Sequence, residues 1–457
     1  MIFNKKTLTI SLLIVALIAS ALSTLSYIKR AAFGYIYGYP LVIMELTRQT
    51  FEQTAPVPES ASNNFNHSQV FPDHTFRNVV RPNNDTLYSI AWLDLSKEPM
   101  VLSVPETQGR YFVMPFMDAW TNVFASVGKR THGSKAGEYI ITGPNWQGKI
   151  PNGVTEIKSP TNMVWTIGRI QTNSKSDVEN VAALQQEFFF TPLTSYLNGE
   201  RQAGVNILSL PANSKHDPYA ELGSLSGAEY FSFLSTLMNQ QPPSTIDAEM
   251  LSDLESIGIS SDAPISVDQF NVLERYLLQL AVDLTHKKIK QTLAEGQPLE
   301  DGWGILRHTI GDYGTNYPMR AGVAMIGLGA MVPAEAVYPN TQYDSQLELL
   351  SGEHKYRIHL EADELPPVNA FWSFTMYGSD SFMIENPINR YAIGDRDALT
   401  FNADGSLDIY IQHEMPVDGQ ANWLPAPKGI FEVQLRLYSP KESVLNGEWK
   451  LPRIVRQ

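Results

Sequence analysis

A chain of 457 residues is longer than one ordinary hydrophobic core organises, which points to two or three domains, and with 43% apolar and 18% charged residues it can bury large cores rather than stay disordered. The formal net charge of −14 repels phosphate backbones and anionic headgroups, so a nucleic-acid partner is disfavoured. The chain contains no cysteine, which excludes disulfides, thiolate nucleophiles, iron–sulfur clusters and cysteine zinc sites.

At the N-terminus, Lys5 and Lys6 precede an apolar stretch from Leu8 to Ile28, and Ala19-Ser20-Ala21 fits a small-residue cleavage pattern. Residues 1–28 therefore read as a secretory signal peptide cut near Ala21. The competing reading is an uncleaved anchor, since about 20 residues just span a bilayer. Either reading places the protein in the periplasm or envelope, with membrane contact only through this segment if it stays uncut. No later stretch is long and apolar enough to span.

Residues 29–205 are expected to form an N-terminal β-rich domain. Short apolar runs at Thr86–Leu95, Val101–Val104, Arg110–Met117, Glu138–Thr142 and Met163–Ile170 are separated by Gly and Pro turns, as in an antiparallel sandwich. Residues 206–330 are expected to be a helical segment. Ser176-x-x-Glu179, Ser226-x-x-Glu229 and Ser266-x-x-Gln269 each have capping-box spacing, in which the serine hydroxyl caps an orphan amide and the residue three places on reaches back. Gly296 is read as the stop of the third helix. Residues 331–457 return to strands. Lys355–Leu360, Leu407–Ile411 and Phe431–Leu437 alternate apolar and polar side chains, which predicts one buried and one wet face. The fold class is thus α+β and multidomain, with two antiparallel β-sandwich-like domains and a helical middle.

Familiar catalytic motifs are missing: there is no G-x-S-x-G, H-E-x-x-H or G-x-G-x-x-G. Gly143 to Lys149 has phosphate-loop spacing, but Ile150 and Pro151 follow where a hydroxyl and a helix are needed, so a strand–turn–strand is expected. The nine histidines form no recognisable metal set, and no cofactor is called for. His67, Asp73 and His74 are the first candidates for any metal that did bind.

Polar and aromatic segments stand out at predicted strand ends. They are Arg81-Pro-Asn-Asn84-Asp85-Thr86, Arg110-Tyr111, Asp118-Ala-Trp120-Thr-Asn122, Tyr317-Pro-Met-Arg320, Asn389-Arg390-Tyr391, Gly394-Asp395-Arg396 and Asn422-Trp423-Leu-Pro-Ala-Pro427. Each also has a plainer reading, as an Asx turn, a local Arg–Asp pair or a packed aromatic.

At these segments, together with Tyr35-Ile-Tyr-Gly-Tyr-Pro40 and Phe371-Trp-Ser-Phe-Thr-Met-Tyr377, the chain resembles bacterial proteins that join two domains of unknown function, twelve-fifty-four and twelve-fourteen. These are often described as cell-envelope proteins. The resemblance covers nearly all of the chain after the apolar stretch. It implies a β-rich pair of domains with helical additions, and it brings no agreed reaction or catalytic residues.

Two functions follow as expectations. One is a non-catalytic structural or assembly role in the envelope, in which buried Arg–Asp pairs join the domains. The other is an enzyme or binding protein for a polar, anionic or carbohydrate ligand. Its candidate residues are Arg81, Asn84, Asp85, Arg110, Asp118, Trp120, Tyr317, Arg320, Arg390, Tyr391, Asp395, Asn422 and Trp423. Within that set, Arg81, Asp85, Arg110, Asp118, Arg390 and Asp395 are expected to converge on one site. One open pocket lined by motifs from both domains favours the ligand reading, and motif residues scattered through buried ion pairs favour the structural one.

Overall fold

The computed structural model describes residues 5–55, 61–77, 80–200, 206–208, 217–294 and 299–457. These fall into two compact units. The first takes the chain up to Thr47 together with residues 218–295 and 314–327, and the second takes 48–217, 296–313 and 328–457. Residues 29–47 thus belong with the helical segment rather than with the β-rich domain in which the sequence boundaries place them.

The helical unit is organised around the helix Lys5–Thr54. Between Ile14 and Leu25 its apolar side chains are bare: Ile14, Val15, Leu17, Ile18, Leu22 and Leu25 are all exposed. Between Ala31 and Leu46 most of the same helix is buried, through Tyr35, Tyr37, Tyr39 and Leu41 to Met44, although Phe33 is exposed. Among the described residues this is the one helix with the length and composition to cross a membrane. Around it pack the helices Gly227–Gln240, Ala248–Glu255, Val272–Ala294 and Tyr317–Ile326.

The Ser226 capping box forms as read, with the Ser226 amide donating to Glu229 at 2.8 Å and the Glu229 amide to Ser226 Oγ at 3.3 Å. The Ser266 box also forms, but on a single 3-10 turn. The long helix starts later, where Asn271 and Glu274 cap each other. The Ser176 box does not form. Ser176 lies inside the turn Lys175–Asp177, and the short helix Val178–Gln185 gives way to a strand, Phe189–Pro192. Gly296 lies outside the described residues.

The second unit holds two β-sandwiches. The N-terminal one pairs a six-stranded sheet with a four-stranded sheet. In the larger, Thr86–Asp94, Met163–Gln171 and Phe112–Asp118 are neighbours. The smaller is built on Met100–Val104 and Gly137–Thr142. Leu87, Leu93, Leu102, Met114, Ile141 and Phe190 from both sheets share one core. The C-terminal sandwich sets a seven-stranded sheet, centred on Val368–Gly378 and Phe431–Pro440, against a four-stranded sheet containing Tyr356–Leu360 and Leu407–Gln412. Its core joins Ile358, Ile409, Phe374 and Leu435. Most pairings are antiparallel, but Asn66–Ser68 with Asn206–Leu208, Gly137–Thr142 with Thr155–Lys158, and Leu407–Gln412 with Trp423–Pro425 are parallel.

The two large sheets also meet each other. Tyr111 and Val113 of one pack with Met331, Ala336, Phe371 and Tyr438 of the other. This layer explains a departure from the sequence reading. Phe431–Leu437 alternates as if one face were wet, yet every residue of the strand Phe431–Pro440 is buried. Its polar face, with Glu432, Gln434 and Arg436, is covered by the partner sandwich.

Candidate functional site

Asp85 is placed by an Asx turn: its amide donates to Asn83 Oδ1 at 2.7 Å and the chain then enters the strand Thr86–Asp94. Its carboxylate is 2% exposed and accepts from Arg396 Nη2 and from Ser373 Oγ at 2.7 Å, with Arg436 Nε 3.9 Å away. Arg396 also donates through Nη1 to the main-chain oxygens of Asp85 and Thr172, both at 3.1 Å, and lies 4.0 Å over the Phe371 ring. A buried carboxylate is stable only when its lone pairs are met in this way.

Above this pair opens a pocket of about 230 Å³. Asn84, Asp85, Thr172 and Lys175 of the N-terminal sandwich line one side, and Arg390, Tyr391, Arg396 and Asp397 of the C-terminal sandwich line the other. Asn84 is fixed by donating to the Pro72 carbonyl at 3.0 Å. Arg390 Nη1 donates to the carbonyls of Gln420, Ala421 and Trp423 at 3.0–3.1 Å. Tyr391 Oη meets His74 Nδ1 at 2.9 Å. Asn389, also on the pocket wall, holds φ at 49°. Arg81, beside the Asx turn, holds the same value. Left-handed backbone is unfavourable for an arginine and tends to cluster where a site is built.

Of the six residues expected to converge, the structure brings Asp85 and Arg390 to the pocket. Arg81 is in the layer behind it, clamped on Glu432 by two bonds of 2.9 Å. Arg110 makes a bidentate pair with Asp177 at 2.5 and 3.0 Å, in the N-terminal sandwich. Asp118 closes its own turn, accepting from the amides of Trp120 and Asn122 at 2.9 Å, and Trp120 is buried beside it. Asp395 accepts from the Trp372 amide at 3.2 Å and lies 3.6 Å from Arg396 Nε. Tyr317 and Arg320 belong to the helical unit, where Tyr317 donates to Asp247 at 2.8 Å and Arg320 lies 5.3 Å over the rings of Tyr37 and Tyr317. Asn422 bonds Thr400 and Asp408 main-chain atoms, and Trp423 is buried and donates to Gln412. Asn84 and Tyr391 are in the pocket wall.

Sequence reasoning did not single out Arg396, Asp397, Lys175, Ser373, Glu432 or Arg436. Arg396 sits in a quoted motif, and its weight was legible only there. Glu432 and Arg436 alternate with apolar residues, which is also the signature of a solvent face. Burial raises the Asp395 pKa from 3.8 to about 6 against the pull of Arg396. Burial also raises that of Asp397, whose Oδ2 accepts from the Gly394 amide at 2.7 Å. His67 is buried against Ser89 Oγ at 2.8 Å, and His74 is engaged with Tyr391, so the histidines suggested for a metal each have a neighbour of another kind. The pocket offers donors and charge for holding a ligand. Its two carboxylates already accept hydrogen bonds.

The chain belongs to the bacterial family that joins two domains, each described as a protein of unknown function: DUF1254, matched at residues 62–192, and DUF1214, matched at 335–442. Every pocket residue named above lies within one of these two stretches. No curated protein matches the chain. Among solved structures it is similar to the VPA0106 protein of Vibrio parahaemolyticus, with 25% identity and a TM-score of 0.70 over 94% of this chain and 100% of that one. A putative uncharacterized protein from Burkholderia cenocepacia aligns at 10% identity and a TM-score of 0.45, over 95% of each chain.

Proposed function

We propose that the protein is an exported, non-catalytic envelope protein whose sandwiches bind a small acceptor-rich molecule, such as a carboxylate-bearing acid or a sugar acid. The observation that carries this reading is the pocket itself, drawn from both family domains. Lys175, Arg390 and Arg396 supply donors there, and Asp85 holds Arg396 in place when the pocket is empty. Guanidinium groups recognise carboxylates through paired, directional N–H donors. About 230 Å³ is below the usual range for drug-sized ligands, which suits a molecule of monosaccharide size or smaller.

The bare apolar residues between Ile14 and Leu25 of the N-terminal helix support export, as a signal peptide or an anchor. Fractionation of cells expressing the tagged full chain tests this part. Recovery in the cytosol with an intact N-terminus removes it. A thermal-shift screen of the detergent-solubilised full chain against organic acids, sugar acids and neutral sugars tests the ligand, because binding to the native state raises the unfolding temperature by mass action. Uniformly flat responses across the screen remove the ligand reading.

A second reading has its own observation. Arg81–Glu432, Arg130–Glu335 and Arg396–Asp85 are each ion pairs with a carboxylate no more than 2% exposed, between the two sandwiches. If these pairs serve only to join the domains, the motif residues are structural and the pocket is incidental.

A further inference from the structure

The helical unit contains a larger cavity, of about 630 Å³, that the sandwich pocket does not explain. It lies among the helices Lys5–Thr54, Pro218–Ser224 and Val272–Ala294. The wall is divided by chemistry. Tyr35, Leu222 and Val282 are buried and apolar, and Leu225 is half-buried beside them. His286, Lys287 and Lys290 all line it from the long helix, with Lys290 stacked three residues from Lys287 and four from His286. Both lysines are exposed, as expected of ammonium groups at a rim. Asp283, also in the wall, accepts from Gln279 Nε2 at 2.9 Å, and Gln279 is itself anchored by the Gly227 amide at 2.7 Å. The Tyr35 hydroxyl meets His286 Nδ1 at 2.8 Å.

We infer that this cavity is a binding site for an amphiphile with an anionic head, a fatty acid or another single-chain lipid acid, drawn from the membrane. The apolar wall takes the chain and Lys287 and Lys290 take the head. The cavity is partly open, and its volume is in the range of small-molecule sites. The membrane as source follows from Tyr35, which is seven residues past Ile28, about 10 Å of helical rise beyond the end of the apolar stretch. The inference does not depend on the sandwich ligand. Its membrane source rests on the anchor reading of that helix.

The test uses the full chain in lipid nanodiscs containing a diazirine-bearing fatty acid, irradiated and mapped by peptide mass spectrometry. Labelling is expected at residues 219–225 and 279–291, in addition to the apolar residues 14–28 that touch lipid if the helix spans. Gly223 borders the cavity, and a Cβ built there meets nothing within 4 Å, so Gly223→Trp fills the space without disturbing the backbone. It should cut cavity labelling at least tenfold and leave labelling at 14–28 unchanged. The double change Lys287→Gln, Lys290→Gln should reduce labelling by the acid several-fold, and labelling by the matching diazirine alcohol little. Excess unlabelled dodecanoate should compete in the unaltered protein, which keeps the test independent of any variant's folding. Labelling confined to 14–28, or cavity labelling that survives both dodecanoate and Gly223→Trp, overturns the inference. Cavity labelling in protein whose residues 14–28 are unlabelled supports the site and removes the membrane as its source.

Discussion

Arg396 grips Asp85 from the opposite sandwich, donating to its carboxylate through Nη2 and to its main-chain oxygen through Nη1 at 3.1 Å. The two residues are 311 positions apart, so the pair exists only when both domains are folded and docked. With Arg396 replaced by Ala, the Asp85 carboxylate keeps Ser373 and loses its closest cation. Orphaning a buried charge costs about 3–5 kcal/mol. Chemical denaturation followed by tryptophan fluorescence should show a loss of that size. The double variant Asp85→Asn, Arg396→Met, which removes both charges, should recover most of it. A loss below about 1 kcal/mol for Arg396→Ala means the pair is not the lock described here.

The Arg396–Asp85 lock also marks how far the sequence could be read. Individual strands were legible because alternation and Gly/Pro punctuation are local signals, and Thr86–Asp94 and Gly137–Thr142 appear where expected. The docking of one sandwich on the other was not. Alternation in Phe431–Leu437 is the same whether the polar face meets water or a partner sheet. Asn84, Asp85, Arg390 and Tyr391 were identified because they sit in dense polar motifs. Asp118 and Arg110 sit in motifs of equal density, yet Asp118 closes its own turn and Arg110 pairs with Asp177 inside the N-terminal sandwich, and nothing local separates such residues from those of a pocket. The helix through residues 29–47 was missed because burial runs through consecutive residues, from Tyr37 to Met44 without a polar break, so no amphipathic stripe announces it.

His67 gives the fold a pH dependence of known sign. It is fully buried against Ser89, and burial lowers its pKa from 6.5 to about 4. In the unfolded chain it titrates at its ordinary value, so between pH 6.5 and 4 the unfolded state binds a proton that the native state refuses. Stability from this group is therefore complete above 6.5 and is lost as pH falls toward 4. At pH 5 the loss is about 2 kcal/mol. His67→Gln, which keeps a hydrogen-bonding side chain and does not titrate, should flatten this part of the profile. Parallel slopes for the two proteins between pH 7 and 5 show that His67 is not the group responsible.

Gly227 permits the close approach of the helices Gly227–Gln240 and Val272–Ala294. A Cβ there would lie 2.5 Å from the Gln279 amide nitrogen and 2.5 Å from the Leu278 carbonyl carbon, both backbone atoms that cannot step aside. Gly227→Ala should therefore destabilise the helical unit by about 1–3 kcal/mol, as overpacking does. All eight tryptophans fall in the sandwich unit. The expected result is a lower melting temperature by circular dichroism at 222 nm with an unchanged tryptophan fluorescence transition. Equal shifts in both signals mean the two units unfold as one.

Arg390 and Arg110 separate a ligand role from a structural one. Arg390 lines the pocket and is half-buried, and its Nη1 donates to three carbonyls in the segment 420–423. Of the three bonds the one to Gln420 is exposed and the other two are only partly buried, so Arg390→Ala should cost about 1–2 kcal/mol. It should also abolish the thermal shift produced by any acid found in the screen, since it removes a cation from the wall. Arg390→Lys retains the charge but not the planar set of donors, and should bind more weakly than the native protein and more tightly than Arg390→Ala. Arg110 makes a bidentate pair with Asp177 and does not line the pocket. Arg110→Ala should therefore lower stability at least as much while leaving the ligand-induced shift intact. The measurement is the change in melting temperature with and without ligand for all four proteins. If Arg110→Ala abolishes the shift and Arg390→Ala preserves it, the ligand is not in this pocket. If both preserve it, the donors named here do not hold the ligand and Arg390 serves only to fix the segment 420–423 of its own sandwich.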